Sequence, residues 1–173
     1  MVRRAADRSA SPLSLAISSW LSHSLERSRV SSSGVGVDDE VITQFNDFKL
    51  KRAPHDFRYF IYKIVNDSEI VIDSTGPSSE SYQDMADKLS QVTSECRYAV
   101  VDLDLTTKDG RPTSKIVFLS WSPDTARIKS KMLYASSKEA IKRVLVGVGI
   151  HLTATDAAEL SLESIQDGVA KFL

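Results

Sequence analysis

Hydrophobic positions change their period several times along the chain, and each change predicts an element. Val41, Ile42, Phe45 and Phe48 recur at helical spacing behind Asp38, Asp39 and Glu40. Those acids suit the positive end of a helix dipole, while Lys49, Lys51 and Arg52 suit the other end before Pro54 closes the helix. Residues 57–65 are rich in aromatic and β-branched residues, with apolar side chains on both faces, as in a strand covered on each side. The polar turn Val65-Asn66-Asp67-Ser68 predicts a hairpin back through residues 69–72, and Gly76-Pro77 breaks the chain. Residues 81–89 predict a short helix with Tyr82, Met85, Ala86 and Leu89 on one side. Residues 97–105 alternate, with Ala99, Val101, Leu103 and Leu105 on one face and Tyr98, Val100, Asp102 and Asp104 on the other. After a turn at residues 108–112, residues 115–121 form a fourth strand and 150–152 a short fifth; a last helix begins near Ser161.

The longest uninterrupted helical pattern lies within residues 121–145. Ser122-Pro123-Asp124 is a turn and helix-start signal, and no glycine or proline follows until Gly147. Arg127, Lys131, Lys138 and Lys142 fall on one stripe, and Ile128, Met132, Ile141, Val144 and Leu145 supply apolar surface elsewhere. Between Arg127 and Arg143 there are six basic residues and one acid, Glu139. The Ser136-Ser137 pair can bond back to carbonyls one turn earlier and bend the axis. A cationic stripe on such a helix suits an acidic partner.

Composition sets the frame around this helix. The chain has 173 residues, 42% of them apolar, enough for one domain with a buried core. A net charge of −1 argues against general nucleic-acid binding, so any basic site is local. The single cysteine, Cys96, excludes an internal disulfide and reads as a small buried hydrophobe. Residues 1–30 stand apart, with five arginines, eight serines and two acids. They are expected to be a disordered extension ahead of a domain spanning 31–173. The same composition also describes a mitochondrial transit peptide, whereas serines interrupt the apolar stretch a secretory signal would need.

Catalytic and metal patterns are rejected one by one. Asp102-Leu103-Asp104 begins like a calcium loop but has Thr107 where glycine belongs and Thr113 where the bidentate glutamate belongs. Gly34-Val35-Gly36 lacks the third glycine of a dinucleotide fingerprint, and Gly147-Val148-Gly149 follows a helix instead of a strand. His23, His55 and His151 are scattered singly. No pattern in the sequence points to a catalytic, cofactor or metal site.

The run KSKMLYASSKEAIK (129–142), preceded by WSPD (121–124), closely resembles the actin-binding long helix of the ADF/cofilin family. Cys96-Arg97-Tyr98-Ala99, Ser114-Lys115-Ile116-Val117-Phe118, Ala154-Thr155-Asp156 and Ser33-Gly34-Val35 extend the resemblance to about residues 32–173. It implies an α/β fold of the α+β type: a mixed, mostly antiparallel five-stranded sheet with helices on both faces. It further implies a monomer, not an enzyme and with no cofactor or metal, that binds actin monomers and filaments, severs filaments and promotes their depolymerisation. The alternative is a module that only sequesters actin monomers or binds acidic phosphoinositides. The location implied is the cytoplasmic actin cytoskeleton, with the nucleus as a second site.

Residue by residue, Ser33, Gly34 and Val35 correspond to the family's N-terminal actin contact. Lys129, Lys131 and Met132 correspond to contacts at the start of the long helix, and Lys142 and Arg143 to basic positions further along. Lys115, Asp167 and Lys171 fall where filament contacts lie. Ser33 is expected to be a regulatory phosphorylation site, with Ser31 and Ser32 as alternatives. Two departures stand out. Arg127 replaces a proline common in the family, and Thr113 and Gly168 stand where some members have basic residues, so filament binding is expected to be weaker or to rely on Arg111.

Overall fold

The antiparallel ribbon expected from the alternating segments forms the centre of the sheet. In a computed structural model, which describes residues 34–51, 56–107 and 109–172, the order is β1 (Gly36–Val37), α1 (Asp39–Lys49), β2 (Phe57–Val65) and β3 (Glu69–Pro77). There follow α2 (Tyr82–Ser90), β4 (Arg97–Thr106), β5 (Pro112–Trp121), α3 (Ile128–Val144), β6 (Ile150–Ala154) and α4 (Leu162–Ala170). The sheet runs β1-β3-β2-β4-β5-β6, antiparallel through β3-β2-β4-β5 and parallel at both outer pairs.

Six strands replace the five expected. The addition, β1, has two residues and shows no alternation of its own; it is fixed by pairing Gly36 with Glu69 and Val37 with Ile70. The hairpin strand β3 continues to Pro77 instead of stopping at Ile72. Its polar residues are held in place: Asp73 bonds Lys63 at 2.8 Å and Arg97 at 3.0 Å. Gly76 continues the strand because Tyr59 packs against its backbone, where an added Cβ would lie 2.1 Å from the ring. The β2–β3 turn places Asn66 (φ 51°) and Asp67 (φ 54°) in the left-handed region, which these two residue types tolerate best after glycine.

Each face of the sheet has its own core. One joins Tyr59, Ala99, Val101, Val117 and Leu119 to Met85 and Leu89 of α2 and Ile165 and Val169 of α4. The other joins Phe60, Tyr62, Tyr98, Val100 and Phe118 to Phe45 and Phe48 of α1 and Tyr134, Ala140 and Ile141 of α3. The first half of β4 is therefore covered on both sides, so Tyr98 and Val100 are as buried as Ala99 and Val101, whereas Asp102 and Asp104 further along the same face are not buried.

Three helices start on side-chain caps. The Asp38 carboxylate accepts from the Glu40 amide, Ser81 and Asp84 cap reciprocally, and Ser161 accepts from the Ser164 amide. Arg97 is buried, and its guanidinium is met by Asp73 and by Glu95 at 2.9 Å. Burial works against ionising Asp73, yet the hydrogen bonds from Lys63 and Arg97 outweigh it and hold the carboxyl below its ordinary value. Tyr59, Glu80 and Lys88 form a second polar knot, in which the Tyr59 hydroxyl donates to Glu80 and the Lys88 ammonium donates to both.

Candidate functional site

Helix α3 begins later than its sequence signal. Ser122-Pro123-Asp124 makes a docked turn instead of the first helical turn, because its amides are already taken. Ser122 N–H donates to the Ala154 carbonyl at 2.9 Å and Asp124 N–H to that of Thr155 at 3.3 Å. Arg127 is then the N-cap, and it supplies no side-chain cap. No acid occupies the first turn, while Arg127 and Lys129 add positive charge to the positive end of the dipole. That arrangement is unfavourable in isolation and favourable for an acidic partner.

Helix α3 is fixed on the sheet by its inner face. Tyr134 accepts from the Ile64 amide at 2.8 Å, and Tyr98 donates its hydroxyl to the Tyr134 carbonyl. Ser137, Ala140 and Ile141 are buried. Ser136 makes the expected back-bond, to the Leu133 carbonyl at 3.0 Å. With this face fixed, the opposite ridge carries Ile128 and Met132, which remain 77% and 68% exposed. On the flank of α3 that faces the sheet, away from this ridge, a cleft of about 200 Å³ is lined by Ile64, Leu133 and Tyr134 together with Asp67, Glu95, Arg127 and Lys129.

The basic residues do not form the single stripe expected. Arg127 precedes the helix, and the other three are partly covered and engaged. Lys131 bonds the Asp124 carbonyl at 3.1 Å, Lys138 the Thr153 hydroxyl at 3.2 Å and Lys142 the Glu139 carboxylate at 2.9 Å. Burial, then neighbouring Lys142, push the Lys138 ammonium below its ordinary value. Lys129 is well exposed and reaches across to Asp67 on the β2–β3 turn at 2.5 Å, and Arg143 is exposed.

The other sequence-derived positions separate into two regions. Gly34 is exposed with φ +78°, whereas Val35 is fully buried and its side chain belongs to the core. Ser33 lies outside the described residues, as do Ser31, Ser32, His23 and His55. Gly34 leads into β1, where Gly36 N–H donates to the Ser68 carbonyl at 2.8 Å, so the chain enters beside Asp67 and hence beside Lys129. Lys115 on β5, Asp167 on α4 and Lys171 at its C-cap are all exposed. Asp167 and Lys171 thus ride on the helix that covers the sheet face opposite α3. Gly168 packs on Leu152, where an added Cβ would lie 3.2 Å from its methyls, which explains a small residue there.

Sequence reading passed over Ile128 as part of the recognition surface, because periodicity alone cannot say which apolar side of a helix the sheet will cover. The signal that could have found it was the absence of a capping residue or acid at the helix start. Among the described residues, no group of three or more metal-ligating side chains comes together.

Residues 34–170 match the family described as cofilin/tropomyosin-type actin-binding protein. Actin-depolymerizing factor 2 of Zea mays is 46% identical over 137 residues, covering 79% of this chain and 95% of that protein. Actin-depolymerizing factor 10 of Arabidopsis thaliana is 44% identical over 140 residues, covering 80% and 96%. Among solved structures, Streptomyces griseoflavus cofilin superposes with a TM-score of 0.71 at 30% identity, over 80% of this chain and 98% of that one. Plasmodium berghei actin depolymerization factor 2 gives 0.69 at 35% identity, with the same coverage.

Proposed function

The chain belongs to the cofilin/ADF family of actin-binding proteins, and from that membership we propose that it binds actin and promotes filament depolymerisation through the N-terminal end of α3. The observation that carries the assignment of the surface is the uncapped, acid-free start of that helix with Ile128 and Met132 exposed upon it. A partner that brings carboxylates to Arg127 and Lys129 and an apolar recess to Ile128 and Met132 satisfies both features at once. Gly34, Lys129, Lys131 and Met132 then form the monomer contact, extended along the helix by Lys142 and Arg143. Ser33 and Val35 flank it, Val35 by holding the backbone. Lys115, Asp167 and Lys171 form a second contact, used in filaments.

Two contacts on opposite sides of one small domain suit a protein that bridges neighbouring subunits and favours one filament geometry. Such a binder shifts the filament by no more than its differential affinity for the two states. The activity is one of binding, performed as a monomer at the cytoplasmic actin cytoskeleton, and severing follows from the same preference. The exposed cations Arg127, Lys129 and Arg143 favour a second reading, competition by acidic phosphoinositide head groups for the same surface.

Lys129→Glu combined with Lys131→Glu should abolish monomer binding and leave the circular dichroism spectrum native, since like-charge juxtaposition at an interface costs several kcal/mol, on the order of a hundredfold or more in affinity. Lys115→Ala with Lys171→Ala should spare monomer binding and weaken cosedimentation with filaments. Unchanged monomer affinity in the first variant refutes the surface. An equal fall of both activities in the second refutes the division into two contacts.

A further inference from the structure

The flank of α3 that faces the sheet has a chemistry of its own. Its cleft of about 200 Å³ is larger than the roughly 150 Å³ that accepts a benzene ring, and smaller than the ~300 Å³ at which pockets for drug-sized ligands begin. It therefore holds one apolar side chain and not a whole cofactor. Ile64, Leu133 and the Tyr134 ring supply the apolar wall.

The polar groups around that wall are unbalanced toward donors. Lys129 is paired with Asp67 at 2.5 Å, and Glu95 with Arg97 at 2.9 Å. Arg127 lines the same cleft, is exposed, and makes no ion pair among the described residues. Tyr134, only 6% exposed, accepts from the Ile64 amide, while its own O–H proton meets no acceptor among the described residues. Burial raises the pKa of that hydroxyl, so the proton stays on at neutral pH. Ser130 repeats the pattern, accepting from the Cys96 amide at 3.3 Å and donating to none of the described residues. Arg127, Ser130 and Tyr134 lie at offsets of 0, 3 and 7, on one side of α3. One unpaired guanidinium and two unused hydroxyl donors call for an acceptor that carries negative charge.

Size then selects the kind of carboxylate. Only one side chain enters, so the carboxylate has to belong to the same residue or to its neighbour. In an extended peptide successive side chains point to opposite faces, and an aspartate or glutamate next to the buried residue turns away. A chain's last residue has no such conflict, because its α-carboxylate is bonded to the Cα that bears the apolar side chain. Capture of a C-terminal carboxylate is a recurrent mode of peptide recognition. We propose that this cleft binds the C-terminal residue of a partner polypeptide, its apolar side chain against Ile64, Leu133 and Tyr134 and its α-carboxylate on Arg127. The Ser130 and Tyr134 hydroxyls supply further donors to its oxygens. The cleft lies away from the Ile128 and Met132 ridge, and its occupant does not rest on the actin reading.

The test uses the full chain, isotope-labelled and with no actin present, followed by amide NMR. It is titrated with acetyl-Gly-Gly-Gly-Phe as the free acid and as the C-terminal amide. The free acid should shift the Ile64, Ser94 and Leu133 amides saturably, and the amide should bind about tenfold more weakly or worse, because a charge-assisted bond is lost. Arg127→Gln, at an exposed position, should erase the difference between acid and amide while the rest of the spectrum stays native. Absence of saturable shifts at these three amides overturns the site. Equal affinity of acid and amide for the unsubstituted chain overturns the carboxylate, and a preference that survives Arg127→Gln overturns the part given to Arg127. If acetyl-Gly-Phe-Asp-Gly amide binds as tightly as the free acid, an internal acidic segment replaces the terminal residue. Shifts at the same amides with protein concentration alone, before any peptide is added, overturn the partner in favour of a second copy.

Discussion

Tyr134→Phe tests how α3 is held. The substitution removes one oxygen and keeps the ring, so the contact with Tyr98 at 4.9 Å between centroids survives and no cavity opens. What is lost is the acceptor for the Ile64 amide, 2.8 Å away in a partly buried site. Leaving a buried amide without a partner costs about 1–3 kcal/mol, and partial burial puts the expected loss at about 1–2 kcal/mol. For a domain of this size that lowers the thermal midpoint by roughly 3–7 °C. Urea denaturation should show the midpoint falling at constant slope, since neither state changes its exposed surface appreciably. Amide exchange should quicken at Ile64 beyond the global change. Tyr134→Ala, which also forfeits the ring, should cost about 3–5 kcal/mol. An unchanged midpoint in Tyr134→Phe, or equal losses in the two variants, would refute the view that this hydroxyl pins the helix to β2.

Three further outcomes follow from particular contacts. Gly76→Ala should destabilise by about 1–3 kcal/mol in urea, because the new Cβ meets the Tyr59 ring and Glu80 and Lys88 restrain its hydroxyl. His151 is flanked by the Phe118 ring, Lys138, Lys142 and Glu139; burial first, then the two lysines, hold its imidazole below the ordinary 6.5. The unfolded chain then binds the proton more readily, so stability is full above about pH 6.5 and falls as pH drops through the lower folded value. His151→Gln should flatten that fall in midpoint-versus-pH curves, and identical curves would remove His151 as its source. Ser33→Glu in the full chain should slow filament disassembly relative to wild type, because it adds negative charge next to Asp38, Asp39 and Glu40 at the proposed interface; equal rates would refute a switch at Ser33.

Most of the architecture could be read in advance because each period had one interpretation. The β2–β3 turn, the alternation of β4 and the helix starts near Asp38, Ser81 and Ser161 were all legible from local chemistry. What escaped depended on partners distant in sequence. β1 exists only because β3 offers an edge, and β3 runs past Ile72 only because Lys63 and Arg97 receive Asp73. The start of α3 was misplaced because the carbonyls of Ala154 and Thr155 capture the amides of the Ser-Pro-Asp turn. The cationic stripe failed for a related reason: the lysines on that flank were near enough to Asp124, Thr153 and Glu139 to be engaged within the fold. The exposed apolar ridge was hidden among residues that resemble core.

Helix α3 is also the crossover between β5 and β6, the parallel pair at one edge of the sheet. A parallel pair cannot close through a tight turn, so β6 finds its register only after α3 has packed across the sheet. Detaching the helix uncovers one face of the sheet beside the edge strand, whose other face stays packed on α4 through Ile150 and Ala154. Amide protons of β6, which lie in the sheet and not on the exposed ridge of α3, therefore register whether that helix is in place.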